Sequence, residues 1–305
     1  MTAGRGLQGI LVVDKPIGPT SHDIVALVRR LTGVRRIGHG GTLDPFARGV
    51  LPLFIGTATR MVEYHAGDPK TYRATVVFGA SSTTDDLEGE LTPGEGAPSN
   101  RAAVEAVLEE FTGTITQRPP AYSAVKVAGR RAYRAAREGQ PIELPLRMVT
   151  VTRLELRDWE HADPLRPAAT LEIECSAGTY VRALARDLGE RLGCGAYLGA
   201  LVRTASGPFT LDAAREPDEI RALANAGTVA TALLPLDHGL GDLPRVTLAD
   251  DVVRALERGQ VVRPRGQVPA SEGRVRVVDG AERLVAIARL EGGRLYPEKV
   301  FVEHA

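Results

Sequence analysis

The sequence has few cysteines and no long apolar run. It contains 305 residues, of which two are cysteine, Cys175 and Cys194. Two isolated cysteines argue against a disulfide framework and against a zinc site of the Cys-x-x-Cys type, and they suit a reducing compartment. No stretch reaches the roughly 20 apolar residues that span a bilayer, and no secretory pattern stands near the N-terminus. We therefore expect a cytoplasmic protein without a membrane segment.

Excess charge is also missing. The chain has 38 basic and 38 acidic residues, so no net charge indicates binding to nucleic acid or to a membrane. Hydrophobic residues make up 43% of the chain, which is typical of a globular protein and excludes a disordered or collagen-like chain.

Several catalytic signatures are absent as well. The sequence contains no GxSxG nucleophile elbow, no GxxxxGK[ST] phosphate loop and no HExxH zinc motif. Its six histidines are scattered without the spacing of metal ligands. The sequence therefore predicts neither a metal nor a nucleotide cofactor.

The elements that the sequence predicts alternate irregularly. A strand over 9–14 precedes a helix that begins near Thr20 or Ser21 and ends at Gly33, and residues 36–49 are predicted to form a long loop. Further strands are predicted over 71–78, 144–156 and 169–176, and helices over 100–111 and 180–192. Strands and helices without regular βαβ alternation favour an α+β fold.

The pattern changes after about Pro235. A short helix over 249–258 is followed by short strands over 275–278, 284–290 and 299–303. This change predicts two domains, residues 1–236 and residues 237–305.

Asp44 is the first candidate for chemistry. It lies in Gly38-His-Gly-Gly-Thr-Leu-Asp-Pro45, where glycines allow a ligand to approach the backbone closely. An aspartate held there could act as a nucleophile or as a base. Taken alone, however, a loop aspartate before proline is more often a turn residue.

Arg182 is the second candidate, because it follows the point where a predicted strand passes into a helix. A guanidinium there could pair with a carboxylate and keep it ionised. The alternative is an ordinary arginine on a helix surface.

Aromatic residues make up only 5% of the chain, so their positions are informative. Tyr72, Tyr122 and Tyr180 lie close in sequence to basic residues or turns, which suits stacking on nucleic-acid bases and also suits core packing. The basic run over 126–137 could bind phosphates or form a solvated helix face.

Four segments, in this order, resemble motifs of one family, the TruB-type tRNA pseudouridine-55 synthases. The matching segments are Asp14-Lys-Pro-Ile-Gly-Pro-Thr-Ser21, Gly38 to Gly49, Gln117 to Lys126 with Gly129 to Tyr133, and Cys175 to Gly189. The resemblance covers about residues 6–209 and is weaker beyond them.

The resemblance implies the pseudouridine synthase fold, a long, mixed, mainly antiparallel sheet flanked by helices with a central cleft. It implies an RNA-gripping insertion over 117–145 and a small PUA-like RNA-binding β-barrel over 237–305. The implied activity is the cofactor-free isomerisation of uridine 55 to pseudouridine in the T arm of tRNA, with the target base flipped out of the RNA. A monomer is expected.

The resemblance also implies roles for individual residues. Asp44 corresponds to the nucleophile, Arg182 to its ionic partner, and Tyr72 to the residue that stacks on the uracil and is the candidate base for the C5 proton. The predicted substrate-binding residues are His39, Tyr180, Leu201, Lys15, Lys126, Arg130 and Arg131.

Two positions depart from the family pattern. Gly40 stands where the family usually has threonine. Val202 stands where the family commonly has the first arginine of an LRR segment, so only Arg203 of that arginine pair is present and one RNA contact of the family is not expected here.

The sequence leaves open whether Asp44 attacks C6 of the uracil, attacks C1′ of the ribose or acts as a base. Two other functions are considered: the same reaction on ribosomal RNA directed by a guide RNA, and non-catalytic RNA binding or tRNA chaperoning. The absence of lysine-rich tails argues against the first, and the set Asp44, Tyr72 and Arg182 argues against the second alone.

Overall fold

The computed structural model describes residues 6–123, 126–127, 130–140, 142–265, 269 and 271–301, without the side chains of residues 126, 127, 131 and 137. The strands are β1 (Gly9–Lys15), β2 (Ile37–His39), β3 (Arg48–Ile55), β4 (Lys70–Phe78), β5 (Ala80–Ser82), β6 (Leu91–Pro93), β7 (Gly113–Gln117), β8 (Lys126–Val127), β9 (Arg130–Arg131), β10 (Arg147–Glu160), β11 (Ala168–Cys175), β12 (Ala196–Ser206), β13 (Phe209–Thr210), β14 (Arg245–Thr247), β15 (Gly273–Val278), β16 (Leu284–Glu291) and β17 (Arg294–Val300). The helices are α1 (Ser21–Thr32), α2 (Val62–His65), α3 (Arg101–Leu108), α4 (Ala132–Arg137), α5 (Val181–Arg191), α6 (Pro217–Asn225) and α7 (Asp250–Glu257).

The main sheet is mixed and mainly antiparallel, as expected for the α+β pseudouridine synthase fold. Its strand order is β1-β3-β12-β4-β11-β10-β7, with β2 beside β3 and β13 beside β12. The pairing of β12 with β3 is parallel, whereas β12 pairs antiparallel with β4. This arrangement joins strands from distant parts of the sequence at the centre of the sheet.

Helices cover different parts of this sheet. Helices α3 and α5 pack on β4, β10, β11 and β12 through the largest hydrophobic cluster. Helices α1 and α6 cover one face of β1 and β3 through a second cluster. The opposite face of β1 and β3 packs against Leu284, Ile287 and Phe301 of the C-terminal part.

Helix α1 begins and ends where the sequence predicts. Thr20 is its N-cap and forms a reciprocal capping box with Asp23. Gly33 follows the helix with φ of 72°, a left-handed conformation that favours glycine.

The predicted loop over 36–49 contains more strand than the sequence indicated. Residues Ile37–His39 form β2 and pair antiparallel with Leu53–Ile55 of β3. Because β2 is short and its partner lies downstream, the local sequence carried no periodic signal for it. The remaining loop, residues 40–47, still carries Asp44.

The C-terminal part contains its own four-stranded sheet, in the order β14-β15-β16-β17. The resemblance implied a PUA-like barrel here. Within the described part of residues 237–305 the sheet is open, and no closed barrel is found. None of the helices in the described ranges is long and apolar enough to cross a membrane.

Candidate active site

Asp44 and Arg182 form an ion pair at the centre of the candidate site. Nε of Arg182 lies 3.0 Å from Oδ2 of Asp44. Arg182 is in the first turn of α5 and is buried, whereas 37% of the Asp44 side chain is exposed. The Asp44 carboxylate is therefore held by Arg182 and is still accessible from the solvent.

A second carboxylate binds the same guanidinium. Oδ2 of Asp86 lies 3.3 Å from Nη1 of Arg182, and Asp86 is only 4% exposed. Arg182 also donates to the carbonyl oxygens of Thr84 at 3.1 Å and Tyr122 at 3.0 Å. These four partners leave the guanidinium little rotational freedom.

The pKa of Asp44 reflects opposing effects. Loss of water around the carboxylate raises its pKa above the usual value, and the charge and hydrogen bond of Arg182 are the main effects that lower it again. Asp86 raises the pKa further, and Lys15 lowers it. Arg182 thus favours the ionised form that a nucleophile or base requires.

Asp86 was not among the residues predicted from the sequence. Asp86 is held by the Thr84 hydroxyl and by the Glu88 N–H, which donates to Oδ1 at 3.0 Å. The preceding residue, Asp85, has φ of 61° and pairs with Arg186 at 3.0 Å. The turn therefore directs Asp85 to Arg186 and Asp86 to Arg182, and these two arginines lie one helical turn apart on α5. No local pattern in the sequence predicts these long-range ion pairs.

Tyr72 and Leu201 lie in the hydrophobic cluster that also contains Leu43, the neighbour of Asp44. Tyr72 is buried on β4, and Leu201 is buried on β12. Burial raises the pKa of Tyr72, and the charge and hydrogen bonding of Arg203 counter part of this rise. Asp44 contributes a smaller upward effect on the Tyr72 pKa.

His39 and Tyr180 each make hydrogen bonds with nearby or distant parts of the chain. Nδ1 of His39 accepts a 3.4 Å hydrogen bond from the Gly41 N–H, and burial is the main effect that lowers the pKa of His39. The backbone of Tyr180 is held by Gln117, whose amide accepts from Tyr180 N–H at 2.8 Å and donates to Tyr180 O at 3.0 Å. The start of the insertion is thereby bound to the start of α5.

Lys15, to which the resemblance assigned a substrate-binding role, is buried in the structure. It is fully buried, and its Nζ donates to the carbonyl oxygens of Pro16, Pro19 and Pro45 at 2.9, 2.8 and 3.3 Å. Burial lowers its pKa to about 8. Because its donors are used by backbone carbonyls, including that of the residue after Asp44, Lys15 holds the loop rather than presenting a free ammonium group to RNA.

Arg203 is likewise internal. Its side chain is only 1% exposed. Its Nε donates to Val50 O at 2.7 Å, and its Nη atoms donate to Thr42 O at 3.4 Å and Gly41 O at 3.1 Å. It therefore braces the loop that precedes Asp44.

The surroundings of Gly40, which replaces the usual threonine, leave little space for a side chain. A Cβ on Gly40 would lie 3.1 Å from Cε2 of Phe54, so the aromatic ring occupies the space that a side chain would need. Val202, the other departure, is partly buried on β12 opposite Arg48 and Arg73.

The predicted RNA-binding residues of the insertion are only partly described. Arg130 is exposed on the hairpin of β8 and β9 and pairs with Glu138 at 3.1 Å. The side chains of Lys126 and Arg131 lie outside the described residues.

A separate groove lies between the β1–α1 loop and α6. Its lining includes Asp14, Ile17, Arg48 and Glu216 but not Asp44. Its charged lining combines four carboxylates with three arginines, and neither Asp44 nor Arg182 lines it, so this groove is separate from the candidate site. Within the described ranges, no cluster of three or more His, Cys, Asp or Glu side chains could hold a metal ion.

Comparison with protein families gives three consecutive matches. Residues 29–181 match the N-terminal domain of TruB family pseudouridylate synthases, residues 182–241 match a C-terminal domain of tRNA pseudouridylate synthase B, and residues 244–301 match the C-terminal domain of pseudouridine synthase II TruB. Together these matches extend over most of the chain.

Individual relatives agree with these matches. The chain is 42% identical over 302 residues to tRNA pseudouridine synthase B of Bradyrhizobium diazoefficiens, covering 97% of this chain and 86% of the relative. It is 44% identical over 260 residues to the protein of the same name from Geobacillus kaustophilus, covering 84% and 91%.

Among solved structures, the chain resembles one in an H/ACA ribonucleoprotein bound to a substrate RNA containing 2′-deoxyuridine. The TM-score is 0.71 at 26% identity, and the match covers 97% of this chain and 85% of the other.

Proposed function

The chain belongs to the TruB family of pseudouridylate synthases, and we propose that it converts uridine 55 to pseudouridine in the T arm of tRNA without a cofactor. The names of the relatives support tRNA as the substrate. The choice of position 55 follows from the motif resemblance. The observation that carries the proposal is the ion pair of 3.0 Å between Asp44 and Arg182.

Asp44 is the proposed catalytic carboxylate. Attack on C6 of the uracil, attack on C1′ of the ribose and proton abstraction all begin from the ionised form. Arg182 supports that form, because an adjacent positive charge lowers the pKa of a carboxyl group that burial raises. The exposed part of Asp44 is where a nucleotide would approach.

The overall reaction requires no redox partner. The N1–C1′ bond breaks, the uracil rotates, and a C5–C1′ bond forms. C5 then loses its proton, the bonding electrons return to the ring, and N1 gains a proton. Tyr72 is the proposed acceptor of the C5 proton, since it is buried in the cluster that contains Leu43, the neighbour of Asp44, and lies on the strand beside that of Leu201.

Access to the base requires flipping of the target nucleotide. Extrusion from folded RNA costs a few kcal/mol, and stacking of a base on an aromatic ring contributes about 1–3 kcal/mol. Tyr72 and Tyr180 are the proposed aromatic walls, with His39 supporting the extruded nucleotide and Leu201 contacting the uracil. Exposed Arg130, with Lys126 and Arg131, supplies local positive charge in a chain whose net charge is zero.

The proposal divides the chain into a catalytic part, residues 1–236, and an RNA-binding part, residues 237–305. The separate sheet of β14 to β17 and its own hydrophobic cluster support this division. A monomer in the cytoplasm remains our prediction.

An unmodified tRNA transcript tests the proposal. We expect the protein alone to form pseudouridine at position 55, mapped by carbodiimide treatment and primer extension, and we expect Asp44→Asn to abolish it while tRNA binding stays within a few fold. Asp163→Asn, which changes an exposed aspartate in the β10–β11 loop, is the matched control.

Three outcomes would contradict the proposal. Full activity of Asp44→Asn would remove this residue from the mechanism. Conversion of ribosomal RNA only when a guide RNA is added would favour the guided reaction, and tRNA binding without any pseudouridine would favour a chaperone.

A further inference from the structure

Arg203 lies directly opposite Tyr72 in the antiparallel pairing of β12 with β4. Residues opposite each other in such a pair project from the same face, with their Cβ atoms about 5 Å apart. Both side chains are buried. The charge and hydrogen bonding of this cross-strand neighbour lower the pKa of Tyr72.

The same guanidinium holds the loop that carries Asp44. It donates to the carbonyl oxygens of Gly41 and Thr42, which precede Asp44 by three and two residues, and to that of Val50 in β3. An arginine has five N–H donors in a rigid fork, so two remain for the phenol after three have bound these carbonyls. Arg203 thus connects the loop of the proposed nucleophile to the proposed base.

We propose that Arg203 is a positioning residue for proton removal from C5, because it orients the Tyr72 hydroxyl against the loop that carries Asp44 and stabilises the phenolate form. This inference rests on the proposed function, in which Tyr72 accepts the C5 proton. Phenolate oxygen takes the proton and becomes phenol, while the electrons of the C5–H bond return to the uracil ring.

The charges around Tyr72 support this role. Arg203 lowers the pKa of the phenol, whereas burial, Cys175 and Asp44 raise it. Cys175 is itself buried, and its pKa of about 11 keeps it a neutral thiol near neutral pH. Among these effects Arg203 is the one that favours the phenolate, and each unit of increase in the Tyr72 pKa lowers the phenolate fraction about tenfold.

The test compares Arg203→Lys and Arg203→Gln with Arg73→Gln. Arg73 is adjacent to Tyr72 on β4 but exposed, so it controls for loss of one arginine from this strand. Single-turnover rates are measured on tRNA transcripts with ordinary uridine and with 5-deuterated uridine, as a function of pH, together with tRNA binding and thermal unfolding.

For Arg203→Gln we expect a rate lower by about 100-fold at neutral pH, within the range of general acid–base effects. The alkaline rise of its rate is expected at higher pH than in the wild type, its deuterium isotope effect is expected to be larger, and tRNA binding should stay within a few fold. Arg203→Lys keeps the charge but not the fork, so we expect an intermediate rate with a pH midpoint near that of the wild type. Arg73→Gln should match the wild type.

A fall in rate and in thermal stability with unchanged isotope effect and unchanged pH profile would overturn the inference, since Arg203 would then have only a structural role. If Arg203→Gln does not fold, Arg203→Lys decides: an isotope effect larger than that of the wild type supports the inference, and an unchanged isotope effect overturns it. Failure of the wild-type protein to modify tRNA would instead contradict the proposed function.

Discussion

Oδ2 of Asp86 lies 3.3 Å from Nη1 of Arg182, so a buried carboxylate shares the guanidinium that binds the proposed nucleophile. Removal of one partner of a buried charge pair leaves the other uncompensated. Asp86 also raises the pKa of Asp44 by charge repulsion. Asp86 therefore helps to orient Arg182, whereas its negative charge disfavours the ionised form of Asp44.

We predict that Asp86→Asn lowers the maximal single-turnover rate by about 10- to 100-fold, because an arginine with one fewer ionic partner is less well oriented. The acid limb of the pH–rate profile should move to lower pH, because the pKa of Asp44 falls when the neighbouring negative charge is removed. Glu88→Gln, an exposed carboxylate in the same turn, is the control. An acid limb that does not move would contradict the electrostatic coupling.

Lys15 gives a prediction about the pH dependence of stability. Its pKa is about 8 in the folded protein, whereas an unperturbed lysine side chain has a pKa of 10.5. Between these values the unfolded chain binds more protons, so the free energy of unfolding should rise with pH through this window. We expect the wild type to gain on the order of 1 kcal/mol relative to Lys15→Met between about pH 7.5 and 9.5, after allowance for solvent screening.

Chemical denaturation of both proteins at the two pH values measures this difference. Titrating groups that do not interact with Lys15 contribute equally to the wild type and the variant. Equal pH dependence in the two proteins would show that the Lys15 ammonium is not perturbed in the folded state.

Gly49 is predicted to be intolerant of a side chain. Its φ is 109°, and a Cβ there would lie 2.2 Å from the Arg203 carbonyl oxygen. Gly49→Ala should lower the free energy of unfolding by more than about 3 kcal/mol through steric overlap in the β3–β12 pairing. Gly96→Ala is the control, because its φ is 90° but no atom lies within 4 Å of the added Cβ. We expect it to cost about 1 kcal/mol, and comparable losses in the two variants would contradict the steric explanation.

Arg130 tests the phosphate-binding role of the insertion. Arg130→Gln should weaken tRNA binding and reduce the slope of log K against log salt by about 1, as expected for one lost phosphate contact. Arg101→Gln, an exposed arginine of α3 that also pairs with a glutamate, is the matched control. An unchanged salt slope would identify the insertion surface as a solvated face.

Local sequence determined the elements whose signals are short-range. Thr20 and Gly33 delimit α1 because a capping box and a left-handed glycine act within one turn. The order of the four motifs determined the family and indicated Asp44, Tyr72 and Arg182, since several long motifs in one order are far more specific than any single residue.

Tertiary structure alone decided which charged side chains are buried and what they contact. Lys15 and Arg203 are cations in the sequence, yet both are buried and bound to backbone carbonyls. Asp86 reaches Arg182 across a separation of 96 residues. Burial and long-range ion pairing depend on how β3, β4 and β12 meet in the sheet, and this pairing is set by contacts between segments too distant for any local pattern to record.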